Sequence, residues 1–231
     1  MEDLPYRERA SVVPGAVVWR HRRSRPSRSA ILPDGCMDLI WHDGELIIAG
    51  PDREAFVGGI GRPGGGSYVG LRLPPGTGPA VFGVPAAELV GQRVPLADVW
   101  SAAQSRQISD SAAAGFIGVA LEKVALTRLE SARPDPVAAR VVAALDAGRG
   151  VREIAADLNL SERQLHRRCL AAFGYGAKTL GRIRRMQRAL SMPASMPASI
   201  GAAVVGYADQ AHLTREVRAL TGVPFVRLTR R

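Results

Sequence analysis

Arginine and glutamine side chains lie on one face of a predicted helix near the carboxy terminus. Apolar residues in this helix recur every four positions and must face a core: Leu165, Cys169 and Phe173. At about 100° per residue, Arg163, Gln164 and Arg167 then lie on the opposite face. Arginine can pair bidentately with guanine, and glutamine with adenine, in a major groove. The pattern favours DNA reading over a merely solvated basic face.

The residues just before this helix predict a helix and a tight turn. Ile154, Ala155 and Leu158 form the inner face of a first helix. Asn159 follows, a residue type that tolerates a left-handed backbone conformation. Ser161 and Gln164 have the spacing of a capping box, which starts a second helix. Residues 151–170 are therefore predicted to form a helix-turn-helix.

A second copy of this pattern follows it. Leu165-x-Arg167 with Phe173-Gly174 recurs as Leu213-x-Arg215 with Thr221-Gly222, 48 positions later. Upstream, Ala155 and Asn159 correspond to Ala202 and Gly206, which lie 47 positions later. The offset rises from 47 before the turn to 48 after it, so the later turn has one extra residue. A repeat of this kind predicts two similar modules.

A basic helix is predicted between the copies, at residues 178–190. Its cations are candidates for phosphate contacts, and we select Lys178, Arg182 and Arg185. The alternative is a solvated connector. Residues 151–231 have 14 Arg and Lys against 5 Asp and Glu, whereas residues 1–150 have 17 against 16. The basic excess therefore lies at one end of the chain, where it favours a polyanion such as double-stranded DNA.

Three sequence motifs in the carboxy-terminal region are similar to those of a known family. They are Ile154-Ala155-x-x-Leu158 with Ser161-x-x-x-Leu165-x-Arg167, then residues 206–215 (GYADQAHLTR), and Thr221-Gly222-Val223-Pro224. Residues 136–228 resemble the DNA-binding domain of AraC/XylS-type transcription regulators. The resemblance implies seven helices, with two helix-turn-helix units joined by a long helix. It also implies that both recognition helices enter successive major grooves on one face of the DNA, and that RNA polymerase is a candidate partner.

The resemblance also implies which positions read bases. These are Arg163, His166 and Arg167 in the first unit, and Gln210, Ala211, His212 and Arg215 in the second. Helical periodicity and resemblance thus agree on Arg163 and Arg167. The second unit departs from the family pattern, with Gly201 in place of a large aliphatic residue and Pro193 and Pro197 before it. These departures predict looser packing there.

The amino-terminal part is predicted to be rich in strands. Candidate strands occupy residues 16–20, 37–42, 45–49, 68–73 and 80–82, with an Asp43-Gly44 hairpin and a glycine-rich loop at 58–66. Residues 33–41, 70–76 and 83–86 are similar to the amino-terminal domain of a subset of the same regulators. Such domains sense a signal, here an unidentified small-molecule effector, or mediate assembly. An apolar helix at residues 108–132 suggests a homodimer.

The fold class is therefore α+β. We predict a small, half-cupin-like β-rich sensor or assembly domain at residues 1–107 and a helical connector at 108–134. An all-α DNA-binding domain with two helix-turn-helix units follows at 135–231. No apolar run approaches the roughly 18 residues of a membrane span, and the start lacks a secretory signal, so a soluble cytoplasmic protein is expected.

Cys36 suggests other functions. It could act as a sensor thiol or as a methyl acceptor in a DNA-docked enzyme, and a metal set of His21, Cys36 and His42 is conceivable. The spacing matches no strong zinc pattern, and a buried structural cysteine is the preferred interpretation. No catalytic residue, metal or cofactor is predicted, so the protein is not expected to be an enzyme. A further alternative is an interaction module with weakened DNA binding.

Overall fold

The amino-terminal half is organised around one antiparallel sheet. The computed structural model describes residues 4–23, 30–57, 66–113, 115–193 and 195–229. Within them, six strands pair in the order β1-β2-β5-β3-β4-β6. Their bounds are β1 Leu4–Ala10, β2 Val17–Arg23, β3 Met37–His42, β4 Glu45–Ala49, β5 Gly66–Leu73 and β6 Arg93–Pro95. The β-rich domain predicted from the sequence is confirmed.

The β3–β4 hairpin shows how local sequence sets this sheet. Asp43 and Gly44 both have positive φ angles, 46° and 89°, as a two-residue type I′ turn requires. Side chains then alternate along β4, so that Ile48 faces the larger core and Ile47 faces a smaller cluster on the opposite side. The predicted bounds of both strands agree with the structure.

The predicted strand at residues 80–82 is wrong. These residues belong to helix α1, Gly78–Phe82, which has proline in its first turn and ends at the left-handed Gly83. Ala80, Val81 and Phe82 are all buried, and a short buried apolar run does not distinguish strand from helix. Short 3₁₀ helices follow at Ala86–Leu89 and Leu96–Asp98. Most of the predicted glycine-rich loop, residues 58–65, lies outside the described residues.

Two helices cover one face of the sheet. Residues 108–132, predicted as a single helix, are divided between α2, Ala102–Ala113, and α3, Ile117–Ser131, because Phe116 adopts an extended conformation. Leu121 and Ala125 of α3 are fully buried in the same core cluster as Leu39 and Leu71 of the sheet.

Glu122 ties α3 to the amino-terminal strand. Its carboxylate, with the side chain only 4% exposed, accepts hydrogen bonds from both Nη atoms of Arg9 at 2.8 and 2.7 Å. It also accepts one from Ser11 Oγ at 2.7 Å and one from the backbone N–H of Val12 at 3.1 Å. These donors hold the pKa of Glu122 well below its usual range, at about 2, and the Arg9 hydrogen bonds contribute most.

The carboxy-terminal half is helical. In the described part, seven helices follow Asp135: α4 Pro136–Asp146, α5 Val151–Asp157, α6 Glu162–Phe173, α7 Ala177–Leu190, α8 Ala198–Val204, α9 Gln210–Thr221 and α10 Phe225–Thr229. As predicted, Asp135 caps α4 by accepting from the N–H of Val137 at 2.9 Å. Seven helices and the α+β class agree with the family resemblance.

The two halves share a packed boundary. Gly76 of the first half lies so close to the second that a Cβ there would be 2.7 Å from Ala138 Cβ and 3.1 Å from Phe173 Cε1. Gln187 of α7 donates a hydrogen bond from Nε2 to the carbonyl of Pro33 at 2.6 Å. Among the described helices, none is both long and apolar enough to cross a bilayer.

Candidate nucleic-acid interface

The turn of the first helix-turn-helix unit is fixed by backbone geometry. Asn159 has a φ of 53°, the left-handed conformation predicted for it. The backbone N–H of Leu160 donates back to the carbonyl of Ala155 at 2.9 Å, which closes the turn. Helix α6 then starts at Ser161, whose Oγ accepts from the N–H of Gln164 at 3.2 Å.

The burial of α6 separates its two faces as predicted. Leu165, Cys169 and Phe173 are at most 1% exposed. Arg163, Gln164, His166 and Arg167 are exposed on the other side. Cys169 belongs to the core, and this burial raises the pKa of its thiol to about 11.

Two of these exposed side chains are already used within the protein. The Gln164 amide oxygen accepts from the Ser161 N–H at 2.8 Å and from Ser161 Oγ at 2.9 Å. The Gln164 NH₂ group therefore stays available as a donor, but bidentate pairing with adenine requires the oxygen as well. The His166 ring lies against the turn before α7, since a Cβ on Gly176 would be 2.7 Å from its Nδ1.

The second unit repeats the turn geometry. Gly206 takes the left-handed conformation at a φ of 86°, and the N–H of Tyr207 donates to the carbonyl of Ala202 at 2.8 Å. This bond corresponds to the one from Leu160 to Ala155, 47 positions earlier. The repeat inferred from the sequence is thus present in the backbone, including the offset that the extra turn residue causes.

Helix α9 presents the second set of predicted reading positions. Asp209 caps this helix by accepting from the N–H of His212 at 2.6 Å. Gln210, Ala211 and Arg215 are exposed. His212 is half-buried, because its ring packs edge-on against Tyr207 with centroids 5.2 Å apart. Its Nδ1 accepts from the N–H of Ala208 at 3.3 Å, which leaves Nε2 as the free ring atom.

Helix α7 joins the two units, and its basic residues have different contacts. Arg182 makes a two-point ion pair with Glu216 of α9, with Nε–Oε2 at 2.7 Å and Nη2–Oε1 at 3.2 Å. Arg185 lies over the Tyr207 ring at 5.5 Å. Lys178 is exposed. Of the three phosphate candidates, Arg182 is therefore the one bound to a carboxylate, a contact for which the sequence offers no signal.

Ion pairing divides the cations of this half into two groups. One group is paired with acidic groups: Arg149 with Asp157, Arg152 with Glu162, Arg168 with Asp135, Arg182 with Glu216, and Arg184 and Arg188 with Asp146. The other group has no ion pair with any residue that the structure describes: Arg140, Arg163, Arg167, Lys178, Arg185, Arg215, Arg218 and Arg227. This second group includes all the predicted DNA-contacting arginines and lysines except Arg182, so their charge stays available to a polyanion.

A basic cleft of about 580 Å³ lies between the two units. Its charged and polar walls come from the connection between α4 and α5, from α7 and from α9: Arg149, Lys178, Arg182, Arg185, His212 and Glu216. Five of these six side chains are cationic or imidazole groups, and Glu216 is bound to Arg182. The cleft can therefore accept an anionic group.

The amino-terminal candidates do not form a metal site. His42 stacks on Tyr68 with centroids 4.0 Å apart, and its Nδ1 lies 3.3 Å from the carbonyl oxygen of Ser67. Over the described residues, no three His, Cys, Asp or Glu side chains converge as a metal ligand set. Burial raises the pKa of the Cys36 thiol, and Asp34 and Asp38 raise it further, which disfavours the thiolate that an acceptor or sensor needs.

Comparison with known proteins supports the geometry. Residues 154–231 match a family described as a helix-turn-helix domain, and residues 16–95 match a family described as a domain of unknown function (DUF6597). An apo variant of ToxT from Vibrio cholerae strain SCE256 superposes with a TM-score of 0.53 at 9% identity, covering 95% of this chain and 98% of that one. ToxT from Vibrio cholerae in a P21 crystal form gives a TM-score of 0.52 at 8% identity, covering 93% of this chain and 97% of that one. No curated protein matches the chain.

The fold and the repeated helix-turn-helix geometry define a DNA-binding protein with an amino-terminal antiparallel sheet and a helical carboxy-terminal domain. The match of residues 154–231 to a helix-turn-helix family and the two-domain fold shared with ToxT both agree with the AraC-type DNA-binding transcription regulator that the sequence predicts.

Proposed function

We propose that the protein reads two successive major grooves on one face of the DNA, with one recognition helix in each. The observation that carries this proposal is the repeated turn, which supports helices α6 and α9 with exposed arginines on both that form no ion pair within the described part of the chain. A helix of this kind fits the width of the major groove, and arginine can pair bidentately with guanine there.

The base-reading roles differ between the predicted residues. Arg163 and Arg167 in α6, and Gln210 and Arg215 in α9, are exposed and take direct roles. Ala211 offers a methyl group to thymine. His166 and His212 lie against neighbouring backbone and rings, so each offers a positioned ring rather than a flexible one. Gln164 donates from its NH₂ group while its oxygen caps α6.

We assign phosphate binding to the basic cleft between the two units. Lys178 and Arg185 line this cleft without an ion pair to the described residues, and the paired Arg149 and the His212 ring lie beside them. The strand that passes between two successive major grooves would present its phosphates here. Arg182 contributes its charge but acts mainly by holding α9 against α7 through Glu216.

We place this function in the cytoplasm and without enzymatic activity. We assign residues 1–107 to sensing or assembly, 108–134 to a connector and 135–231 to DNA binding. An unidentified small-molecule effector and RNA polymerase are the further partners. A homodimer through residues 108–132 is supported by exposed apolar side chains, since Phe116, just before α3, is 87% exposed and Val119 is 55% exposed. Sedimentation that finds a monomer at micromolar concentration would reject the dimer.

In vitro selection of double-stranded oligonucleotides with the full-length protein tests the proposal. We expect an enriched motif with two half-sites about one helical turn, roughly 10–10.5 base pairs, apart. Affinity should fall steeply with salt, because several phosphates release counterions. Failure to enrich any motif would contradict sequence-specific binding and favour the interaction module instead.

A further inference from the structure

One short segment of the amino-terminal half contacts the carboxy-terminal ends of both recognition helices. This segment, residues 51–56, follows β4. Arg53 donates from Nη2 to the carbonyl of Gly174, the residue that caps the end of α6, at 3.1 Å. Two residues later, the backbone N–H of Ala55 donates to the carbonyl of Leu220, in the last turn of α9, at 2.8 Å.

Leu220 is one of the last four residues of α9, whose carbonyls have no partner within the helix and form the negative end of its dipole. The Gly174 carbonyl belongs to the left-handed residue that caps α6, directly after Phe173. A guanidinium and an N–H group are both suited to that end. The segment thus satisfies one carbonyl at each recognition helix instead of merely passing near them.

The contact at α6 is also sterically tight. Gly174 is buried at a φ of 81°, and a Cβ there would lie 3.1 Å from both the Ala86 carbonyl oxygen and Pro51 Cγ. The end of α6 therefore lies directly on the amino-terminal half, and a shift of that half would move the helix.

The segment itself is held firmly by the sheet domain. Asp52 and Arg93 form an ion pair with both side chains 9% exposed, and Arg93 lies 4.1 Å from the centroid of the Phe56 ring. Phe56 and Ile31 exchange backbone hydrogen bonds at 2.8 and 2.9 Å. The Gly91 N–H donates to the carbonyl of Pro51 at 3.0 Å. Arg53 and Ala55 therefore lie on a segment, residues 51–56, that is fixed to the sheet domain.

We propose that Arg53 and Ala55 are positioning residues that fix the separation of the two recognition helices and thereby the half-site spacing that the protein accepts. This inference rests on the proposed reading of two grooves. One inserted base pair moves a half-site by about 3.4 Å along the duplex axis and about 35° around it. Helix α7 connects the two units at one side. Segment 51–56 connects them a second time, by hydrogen bonds at the carboxy-terminal ends of α6 and α9.

The test measures spacing selectivity with the full-length protein. The probe is the duplex recovered by selection, in its original form and with one base pair inserted between the half-sites. The variants are Arg53→Ala and the double variant Arg53→Ala with Ala55→Pro, which removes the second donor. Glu54→Gln is the matched control, because Glu54 is exposed and lies between the two contacts. Arg53→Lys tests rescue by a conservative donor.

We expect the wild-type protein and Glu54→Gln to lose on the order of tenfold or more in affinity on insertion. The double variant should lose about threefold or less, Arg53→Ala should fall between them, and Arg53→Lys should return toward wild type. Loss of one positive charge weakens both duplexes alike, so the ratio of the two affinities isolates positioning from charge.

An unchanged ratio in Arg53→Ala and the double variant would overturn the inference. Should the double variant fail to fold by circular dichroism, the ratio for Arg53→Ala alone decides. Absence of any selected motif for the wild-type protein would instead contradict the proposed function, so the two failures are distinguishable.

Discussion

The two helix-turn-helix units have the same backbone but use their side chains differently. In the first unit, Arg163 and Arg167 have no ion pair with the described residues. In the second, Glu216 and Tyr207 bind Arg182 and Arg185 of the joining helix, and His212 packs on Tyr207. The first unit therefore presents two predicted base-reading arginines without an ion pair to the described residues, whereas the second presents one, Arg215, and is anchored to α7 by polar and aromatic contacts.

Their cores differ in a second way. The first unit has Ile154 on the inner face of its first helix, and the corresponding position in the second is Gly201. A Cβ on Gly201 would lie 2.5 Å from Met192 Cε and 2.9 Å from Met192 Sδ. Met192 thus lies where a larger residue at position 201 would project. Met192, between α7 and α8, therefore fills space that a larger residue at position 201 would occupy.

The largest expected effect comes from equivalent core leucines. Leu165 and Leu213 are both 0% exposed, so replacement of either by alanine leaves a cavity. We expect Leu165→Ala and Leu213→Ala each to lower the free energy of unfolding by about 2–5 kcal/mol. Chemical denaturation with urea measures both. A much smaller loss for Leu213→Ala would support the looser packing that the sequence predicts for the second unit.

The compensation by Met192 can be tested in the same way. Gly201→Leu should destabilise the protein by about 1–3 kcal/mol, because the added side chain overlaps Met192. Met192→Ala in the same chain should recover most of this loss by clearing that space. If the double variant is no more stable than Gly201→Leu, Met192 does not occupy the position.

Base reading should depend more strongly on the first unit. We expect Arg167→Ala to weaken specific binding by about 1–3 kcal/mol and to relax one base position, and Arg215→Ala to have the smaller effect of the two. Arg168→Ala is the matched control, because Arg168 is paired with Asp135 at 3.2 Å. Competition with random DNA provides the measurement. Equal losses on specific and random DNA would contradict a base-reading role.

The smallest effect concerns the two kinds of cation on α7. Lys178→Ala should lower the slope of log affinity against log salt by about one, as loss of a phosphate contact does. Arg182→Ala should change this slope less and lower the free energy of unfolding by about 0.2–1 kcal/mol, since the Arg182–Glu216 pair is partly exposed. Equal changes in slope would make Arg182 a phosphate ligand after all.

Local patterns predicted the features that depend on neighbouring residues. The apolar spacing of Leu165, Cys169 and Phe173, the left-handed Asn159 and the Asp43-Gly44 turn are all set within a few positions of the chain. Local signals of this kind also predicted that the turn of the first unit is repeated in the second.

Ion pairs and hydrogen bonds between residues far apart in the chain could not be predicted from local patterns. Nothing near Arg182 indicates that Glu216, 34 positions away, binds it, and Arg53 gives no sign of its contact with Gly174. The strand predicted at residues 80–82 failed for a related reason, since burial on every side conceals the helical period. The capping role of Gln164 was visible in the sequence, but its conflict with adenine recognition appears only once the hydrogen bonds are known.

The four hydrogen bonds to Glu122 make one region of the protein sensitive to protons. The pKa of Glu122 in the folded chain is about 2, against an ordinary value of 4.5. Its contribution to stability is therefore complete above about pH 4.5 and is lost as the pH falls toward 2. Mild acidification to pH 5 leaves the attachment of the first strand to α3 intact, whereas strong acid releases it.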